Sequence, residues 1–364
     1  MTGSDGGARR RVTVLALTAI GSAILTAAPA AAQGSATGSA GSSGVVDAHF
    51  ETLCTPTEPG LAELSGLAVD GTRMFAIGDS GTDRTLWVLG ADCEVAGSLP
   101  VPGTPVDVED LARSGGRLWL ADTGDNNRVR TSVALTEMDP ATGAGTSRVL
   151  TYPDGAHDAE ALLIGRDGRP VVVTKELLAD SGIYTTAGGE TVADLSGPGP
   201  TALRRVGRIR LGPTDTPGGP LPVPGAASTL VTGGAVSADG RVVALRTYTD
   251  IYLYPAPDGD IVAALTGATP IRVPMPGQPQ GEAVAFTPSG DLLSASEAAD
   301  GPLPAILVLR GATGLVPLPP AEPEPRAASA GGAPNTVAAI AAGAGVGAAL
   351  VGGALVVRSR RGDA

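Results

Sequence analysis

The residues best suited to chemistry lie at the open end of a predicted β-hairpin. Two apolar runs rich in β-branched residues, within 158–164 and 171–176, flank an Asp-Gly turn at 167–168. This pattern is typical of two antiparallel strands joined by a tight turn. Pairing about the turn places Glu160 across from Lys175. Charges of both signs therefore gather at one end of an otherwise apolar hairpin.

The same arrangement recurs four more times along the chain. In each case a short apolar strand follows a first position, and a second strand ends at or near a second position. These pairs of positions are Ser65 with Asp79, Glu109 with Asp122, Gly234 with Arg246, and Glu282 with Glu297. Repeats of roughly 40–50 residues with several short strands each are typical of β-propellers. The sequence therefore predicts an all-β fold, a propeller of five blades, over residues 45–318.

Two details of the predicted propeller remain open at this level. A Pro- and Gly-rich stretch at 212–227 is either an insertion loop or a weak extra blade, so six blades are the alternative. A strand at 45–50 precedes the first repeat, and the last repeat is short of strands. We expect this N-terminal strand to complete the last blade and close the ring, which also removes an exposed sheet edge.

The first strand of each blade lines the central channel, so the polar ends of the five hairpins should meet at one mouth. Several carboxylates on one concave surface cannot all stay ionised and unpaired. A hard cation such as Ca²⁺, which binds carboxylate oxygens, would neutralise them. The predicted metal ligands are Glu109, Asp122, Asp158, Glu160 and Glu282.

Basic and polar residues at the same mouth would hold an anionic or small polar ligand. The predicted ligand-binding residues are Lys175, Arg246, Arg128 and His157. A purely structural role is the alternative, in which the acidic residues cap backbone amides and pair with arginines. Two histidines without a paired cysteine motif argue against zinc, and no G-x-S-x-G serine elbow is present.

Both termini of the sequence indicate export and membrane attachment. Three arginines at 9–11, an apolar run and an Ala-rich cleavage site predict a secretory signal peptide at 1–32. A Gly/Ser/Ala linker at 33–44 and a Pro/Ala/Glu-rich spacer at 319–335 flank the predicted propeller. Residues 336–357 carry no charge and are long enough to span a bilayer, although a tail cleaved during cell-wall sorting is the alternative. Arginines in the tail at 358–364 place that tail in the cytoplasm and the propeller outside.

Charge and cysteine usage agree with this location. The net charge is −12, and without the signal peptide and the tail it is near −16. Such a charge argues against nucleic acid and anionic lipid surfaces as partners and favours cations. Cys54 and Cys93 are the only cysteines, and an even number in an exported chain predicts one disulfide.

Several short motifs resemble a known family. They are Gly78-Asp79-Ser80-Gly81, Gly124-Asp125-Asn126-Asn127-Arg128, Tyr152-Pro153-Asp154-Gly155, Asp158-Ala159-Glu160-Ala161-Leu162, Arg246-Thr247-Tyr248 and Gln280-Gly281-Glu282-Ala283. Over about residues 60–310 the chain resembles secreted actinobacterial propellers of the "esterase-like activity of phytase" type. The resemblance implies hydrolysis of phosphoesters or other esters, with acidic residues holding Ca²⁺. The chain departs from that pattern at 134–138 and at Gly234, so a binding or scaffolding module leads and a Ca²⁺-dependent hydrolase is the alternative.

Overall fold

The computed structural model describes residues 44–79, 84–195 and 199–319. The described residues up to Leu318 belong to one compact unit. The predicted signal peptide, nearly all of the linker and the spacer, the predicted membrane helix and the tail lie outside the described residues. Within the described ranges, no helix has the length and apolar character needed to span a membrane.

The predicted all-β class is confirmed, because strands dominate the described chain. The strands are β1 Gly44–Val45, β2 Glu51–Cys54, β3 Leu64–Asp70, β4 Arg73–Gly78, β5 Thr85–Leu89, β6 Val95–Pro100, β7 Val108–Ser114, β8 Arg117–Asp122, β9 Val133–Met138, β10 Gly145–Thr151, β11 Ala159–Ile164, β12 Pro170–Thr174, β13 Ser181–Thr186, β14 Thr201–Ile209, β15 Val231–Val236, β16 Val242–Thr247, β17 Asp250–Pro255, β18 Ile271–Pro274, β19 Gln280–Phe286, β20 Leu292–Glu297 and β21 Ile306–Leu309. The helices in the described ranges are α1 Ile261–Gly267 and four 3₁₀ turns at Pro59–Leu61, Val192–Asp194, Ala227–Thr229 and Ala312–Leu315.

The strands form five four-stranded antiparallel meanders. Meander I is β3–β6, meander II is β7–β10, meander III is β11–β14 and meander IV is β15–β18, while meander V joins β19, β20 and β21 to β2. Parallel pairing of β10 with β14 fuses the outer edges of meanders II and III into one eight-stranded sheet. In the same way, β1 adds to the outer edge of meander IV.

The first strands of the meanders form a closed ring. Each contacts the first strand of the next meander, in the order β3, β7, β11, β15, β19 and back to β3. Residues from all five line one small cavity of about 60 Å³. The chain therefore has a β-propeller-like all-β fold.

The hydrophobic core lies between neighbouring meanders. One cluster joins each consecutive pair: Phe75 with Leu120 between I and II, Trp119 with Val172 between II and III, Leu163 with Leu245 between III and IV, Val273 with Leu292 between IV and V, and Leu293 with Leu67 between V and I. Since both faces of each inner sheet are covered, β11 and β12 are buried along their whole length. This explains why their sequences are almost continuously apolar.

The hairpin predicted between Glu160 and Lys175 is confirmed. β11 and β12 pair antiparallel, and Gly168 in the connecting turn has a φ of +75°. Only glycine adopts this backbone conformation without a steric penalty, so the Asp-Gly dipeptide fixes the position of the turn.

The segment that completes the last meander differs from the predicted one. The strand that completes meander V is β2, at Glu51–Cys54, rather than the predicted strand at 45–50. In the predicted segment only Gly44–Val45 pairs, and it joins meander IV. Ala48 and Phe50 nevertheless pack on the core between meanders IV and V. Their alternating apolar pattern therefore reflects one-sided packing of an extended segment without strand pairing.

The stretch at 212–227 contains no strand. Asp250 anchors it from within meander IV: its fully buried carboxylate accepts hydrogen bonds from the hydroxyls of Thr214 and Thr216, both at 2.8 Å, and pairs with Arg272. Helix α1, between β17 and β18, was not predicted. Its first turn is capped by the Asp260 side chain, which accepts from the amide of Ala263 at 2.9 Å.

The predicted disulfide is confirmed. Cys54 and Cys93 are bonded, with their Cα atoms 5.6 Å apart. Cys54 ends β2 in meander V, and Cys93 lies in the turn between β5 and β6 of meander I. The covalent link therefore joins the last meander to the first, at the point where the ring closes.

Candidate metal centre

A β-bulge occurs at the start of the first strand in every meander. Each bulge interrupts the register with the second strand. The residues at these equivalent positions are Ser65, Glu109, Glu160, Thr232 and Glu282. A bulge leaves one residue unpaired and changes the direction of its side chain. The backbone therefore presents one polar side chain from each meander at the same level of the ring.

The two hydroxyl residues of this set bind the neighbouring meander. Ser65 Oγ donates to the carbonyl of Val108 at 2.8 Å, and Thr232 Oγ1 donates to the carbonyl of Gly281 at 2.7 Å. Val108 immediately precedes Glu109, and Gly281 immediately precedes Glu282. Each hydroxyl therefore binds the backbone beside the equivalent position of the next meander. The two hydroxyls are therefore engaged in hydrogen bonds between neighbouring meanders. Of the five equivalent positions, only the three glutamates carry ionisable side chains.

The sequence prediction placed Gly234 at the fourth position, and this assignment is wrong. Thr232 occupies the bulge, while Gly234 lies two residues further along β15 and pairs with Leu245. The run Val231-Thr232-Gly233-Gly234 gives no clear strand start, because the two glycines interrupt the alternation of apolar residues. The Glu160 hairpin also differs in register, since the bulge puts Lys175 opposite Asp158, whose carbonyl accepts from the Lys175 amide at 2.8 Å.

Three carboxylates of the predicted metal set lie together. Glu109, Asp158 and Glu160 each offer an oxygen, and these atoms lie within 4.8 Å of one another. All three residues are buried. Asp158 is held in place because its Oδ1 accepts from the Asp125 amide at 2.8 Å.

A second group of carboxylates shares Glu109 with the first. Asp79, Asp107 and Glu109 offer oxygens that also lie within 4.8 Å of one another. Asp79 and Asp107 are only partly buried. The second group therefore lies on the more open side of Glu109.

One oxygen of Glu160 lacks a partner. Lys175 Nζ pairs with Glu160 Oε1, but the buried Oε2 has no hydrogen-bond partner in the part of the chain that the structure describes. Glu160 is only 2% exposed. A buried carboxylate oxygen without a donor is costly, and a cation would remove that cost.

Electrostatics at the mouth favour protonated carboxylates or a bound cation. Burial, followed by repulsion from Glu160, raises the pKa of Glu109 and that of Glu282 well above the ordinary value. Burial raises the pKa of Glu160 to about 7 against the opposing effect of Lys175. Burial, with Asp79 adding to it, raises the pKa of Glu297 to about 8.

Two of the predicted metal ligands, Asp122 and Glu282, belong to neither carboxylate group among the described residues. Asp122 accepts from the amides of Val106 and Asp107 and pairs with Arg130 at 2.9 Å. It acts as the backbone cap and arginine partner that the structural alternative describes. Glu282 is buried at the mouth and acts electrostatically on Lys175, but it belongs to neither compact carboxylate group among the described residues.

The predicted ligand-binding residues occupy different environments. Arg128 is half-exposed and pairs with Glu176 at 2.5 Å. His157 lies in a polar cluster, with its Nε2 2.9 Å from the Tyr184 hydroxyl and 3.1 Å from Asp154. Lys175 alone contacts the carboxylate group directly.

Arg246 is fully buried beneath the mouth. Its Nη2 lies 3.4 Å from Gln278 Oε1, and within the described ranges its Nε and Nη1 have no hydrogen-bond partner. Burial lowers its pKa to about 10, and Glu282 opposes that shift. Gly281 makes room for the guanidinium, because a Cβ at that position would overlap Nη2.

Asp110, next to Glu109, is a functional neighbour that the sequence did not reveal. Its carboxylate is fully buried and accepts from three amides: Leu111 at 2.8 Å, Leu162 at 2.7 Å and Gly234 at 3.2 Å. These amides belong to the first strands of meanders II, III and IV. Asp110 therefore connects the first strands of three meanders beside the carboxylate groups.

Comparisons with known proteins add little to this geometry. No protein-family model matches the chain, and no curated protein matches its sequence. Among solved structures, a crystal structure of glucose dehydrogenase is similar with a TM-score of 0.41 and 12% identity, over 72% of this chain and 99% of that one. A likeness of this degree carries no information about activity.

Asp79 and Asp107 belong to the carboxylate groups but were not among the predicted metal ligands; Asp79 was predicted at a hairpin end, whereas Asp107 was missed altogether. A signal was present, since Asp107-Val108-Glu109 and Asp158-Ala159-Glu160 share an Asp-x-Glu pattern. The two motifs lie at equivalent positions of meanders II and III. Aligning them would have placed Asp107 beside Asp158 at the same mouth.

Proposed function

We propose that this chain is an exported five-bladed β-propeller that binds a divalent cation, Ca²⁺, at the acidic mouth of its central channel. Each meander is one blade in this description, and the ring of five first strands supports the count. The cation in turn would hold a small polar or anionic ligand, so the protein acts as a binding module.

The observation that carries the proposal is the arrangement around Glu160. Its Oε2 is buried without a partner, in a group of three carboxylates whose oxygens lie within 4.8 Å. Hard oxygen donors at this spacing suit Ca²⁺, which tolerates irregular geometry. Mg²⁺ fits less well, because it requires a tighter octahedral shell and keeps its water.

Thermal unfolding with and without Ca²⁺ tests the proposal. A cation bound only by the folded state stabilises it by RT ln(1 + [L]/Kd), about 2.7 kcal/mol at a hundredfold excess over Kd. The melting temperature should rise with Ca²⁺, fall with chelator, and respond less to Mg²⁺. Glu160→Gln should abolish most of the Ca²⁺ effect, whereas the exposed Glu94→Gln should retain it.

A different outcome would support the structural alternative. If the carboxylates serve only as a salt-bridge network, Ca²⁺ will leave the melt unchanged. Glu160→Gln will then destabilise the protein equally in Ca²⁺ and in chelator, because its only effect is to remove the partner of Lys175.

A Ca²⁺-dependent hydrolase is the second candidate. The observation that favours it is Glu297, whose raised pKa of about 8 suits a general base near neutral pH. Hydrolysis of p-nitrophenyl phosphate and p-nitrophenyl acetate, measured with Ca²⁺ and with chelator, tests it. Activity that requires Ca²⁺ and is lost in Glu297→Gln would favour the enzyme over the binding module.

We further propose that the propeller faces the outside of the cell and is tethered by the segment at 336–357. The Cys54–Cys93 disulfide supports export, because such bonds persist mainly in oxidising compartments. Protease added to intact cells should release the propeller. Full protection under conditions where the protease reaches the outer membrane face would contradict this location.

A further inference from the structure

Lys175 is the only lysine in the chain, and all other positive side chains are arginine or histidine. This single lysine lies at the candidate metal centre, where its Nζ pairs with Glu160 Oε1. Its side chain is 15% exposed, whereas Glu160 is almost completely buried. The lysine is therefore the more exposed partner of the pair.

The surroundings of the ammonium are those of a small cation. Asp158 and Glu282 act on its charge, and its Nζ lies 5.6 Å from the centre of the Tyr248 ring. A lysine ammonium is a compact, strongly hydrated point charge, whereas the planar arginine guanidinium favours bidentate pairing. In a chain that otherwise uses arginine, the single lysine lies beside the buried carboxylates.

Glu160 has only one oxygen engaged by this lysine. Oε1 is paired with Nζ, while the buried Oε2 has no partner among the described residues. A divalent cation that reached Oε2 would lie close to the ammonium and be repelled by it. Because the lysine is the more exposed partner of the pair and has a flexible stem, we expect it to move outwards as the metal enters.

We propose that the Lys175 ammonium is a tethered cation, which occupies the acidic mouth in the metal-free protein and is displaced when a divalent metal binds Glu160. This inference depends on the proposed metal function. It makes Lys175 the residue that sets the affinity of the site, since binding requires breaking the Lys175–Glu160 pair. The lysine also stabilises the metal-free fold, because it is the positive charge that pairs directly with the buried Glu160.

Lys175→Met tests the proposal, because methionine is also a long unbranched side chain but carries no charge. Calorimetric titration with CaCl₂ should show about tenfold tighter binding than in the natural protein, since repulsion between two positive charges is removed. The melting temperature in chelator should fall at the same time. Arg73→Met is the matched control: it removes an exposed ion pair with Asp70 and should leave Ca²⁺ affinity unchanged.

The opposite signs of the two effects separate this role from others. A lysine that only supports the fold would give lower melting temperatures with and without Ca²⁺ and an unchanged affinity. A lysine that helps to build the metal site would give weaker binding. Either result overturns the inference while leaving the Ca²⁺ function intact, provided that the natural protein binds Ca²⁺.

If neither protein binds CaCl₂, both the metal function and the inference fail. If only Lys175→Met binds it, the ammonium blocks the site without being displaced, and both the Ca²⁺ function of the natural chain and the displacement are overturned.

A second measurement follows the lysine itself. Because the chain has one lysine, acetylation of Lys175 by a small amine-reactive reagent can be quantified by peptide mass spectrometry without ambiguity. Displacement into solvent should make acetylation at Lys175 about tenfold faster in CaCl₂ than in chelator. In solvent the amine is accessible to the reagent, and it no longer has the Glu160 carboxylate that favours its unreactive charged form. An unchanged or slower rate in CaCl₂ would contradict displacement.

Discussion

Calcium binding by this protein should be accompanied by proton release near neutral pH. Burial raises the pKa of Glu160 to about 7 and that of Glu297 to about 8, and it raises the pKa of Glu109 and Glu282 well above their ordinary value. At pH 7 the metal-free mouth therefore holds protons that the unfolded chain would release. Metal ligation requires ionised carboxylates, so binding displaces those protons.

The sign of the effect on stability follows from the direction of the shifts. A group whose pKa is raised by folding contributes stability that is complete below its unfolded pKa and lost as the pH rises through its folded pKa. For Glu160, the interval between about 4.5 and about 7 corresponds to about 3 kcal/mol. The free energy of unfolding of the metal-free protein should therefore fall as the pH rises from about 5 to 8, and Ca²⁺ affinity should rise over the same interval.

Calorimetry in two buffers of different ionisation enthalpy measures the protons directly. At pH 7 the observed heat should differ between the buffers by an amount that corresponds to about one or two protons released per Ca²⁺. Glu160→Gln, if it still binds, should release about one proton fewer, and Glu94→Gln should match the natural protein. Equal heats in both buffers would refute the reasoning, because the carboxylates would then already be ionised in the metal-free protein.

Three further predictions concern the disulfide, the buried Asp110 and a glycine beside the candidate metal centre. Removing the Cys54–Cys93 disulfide, which closes a loop with a sequence separation of 39 residues, should lower the free energy of unfolding by about 4 kcal/mol in urea titrations; a change below about 1 kcal/mol would mean that the noncovalent contacts of the ring suffice. Asp110→Asn should cost about 1–3 kcal/mol with or without Ca²⁺, because an amide NH₂ in place of Oδ1 leaves the buried Leu111 amide without its acceptor; a loss seen only in Ca²⁺ would assign Asp110 to the metal site. Gly124→Ala should weaken Ca²⁺ binding, since its Cβ would overlap the Glu109 carboxylate; an unchanged affinity in calorimetry would show that Glu109 is not a ligand.

The sequence by itself determined the all-β class and the repeated hairpins. Apolar runs with Asp-Gly or Ser-Gly turns are local signals, because turn geometry depends on a few adjacent residues and strand burial on the pattern of one segment. The hairpin of Glu160 and Lys175 is the clearest case, since both strands and the turn were predicted to within two residues, although the bulge changes which residues lie opposite each other. The disulfide was also predictable, because only one pairing of two cysteines exists.

Only the tertiary structure decided which of the predicted residues meet. Thr232 rather than Gly234 occupies the fourth position, because the two glycines after Thr232 interrupt the apolar pattern from which the start of the strand was predicted. Asp122 was predicted to bind metal, but at the end of β8 it faces two amides and Arg130. Asp107 joins Glu109 because the loop before β7 returns to the ring. Such contacts depend on bulges and on neighbouring meanders, and these are set by packing between segments distant in sequence.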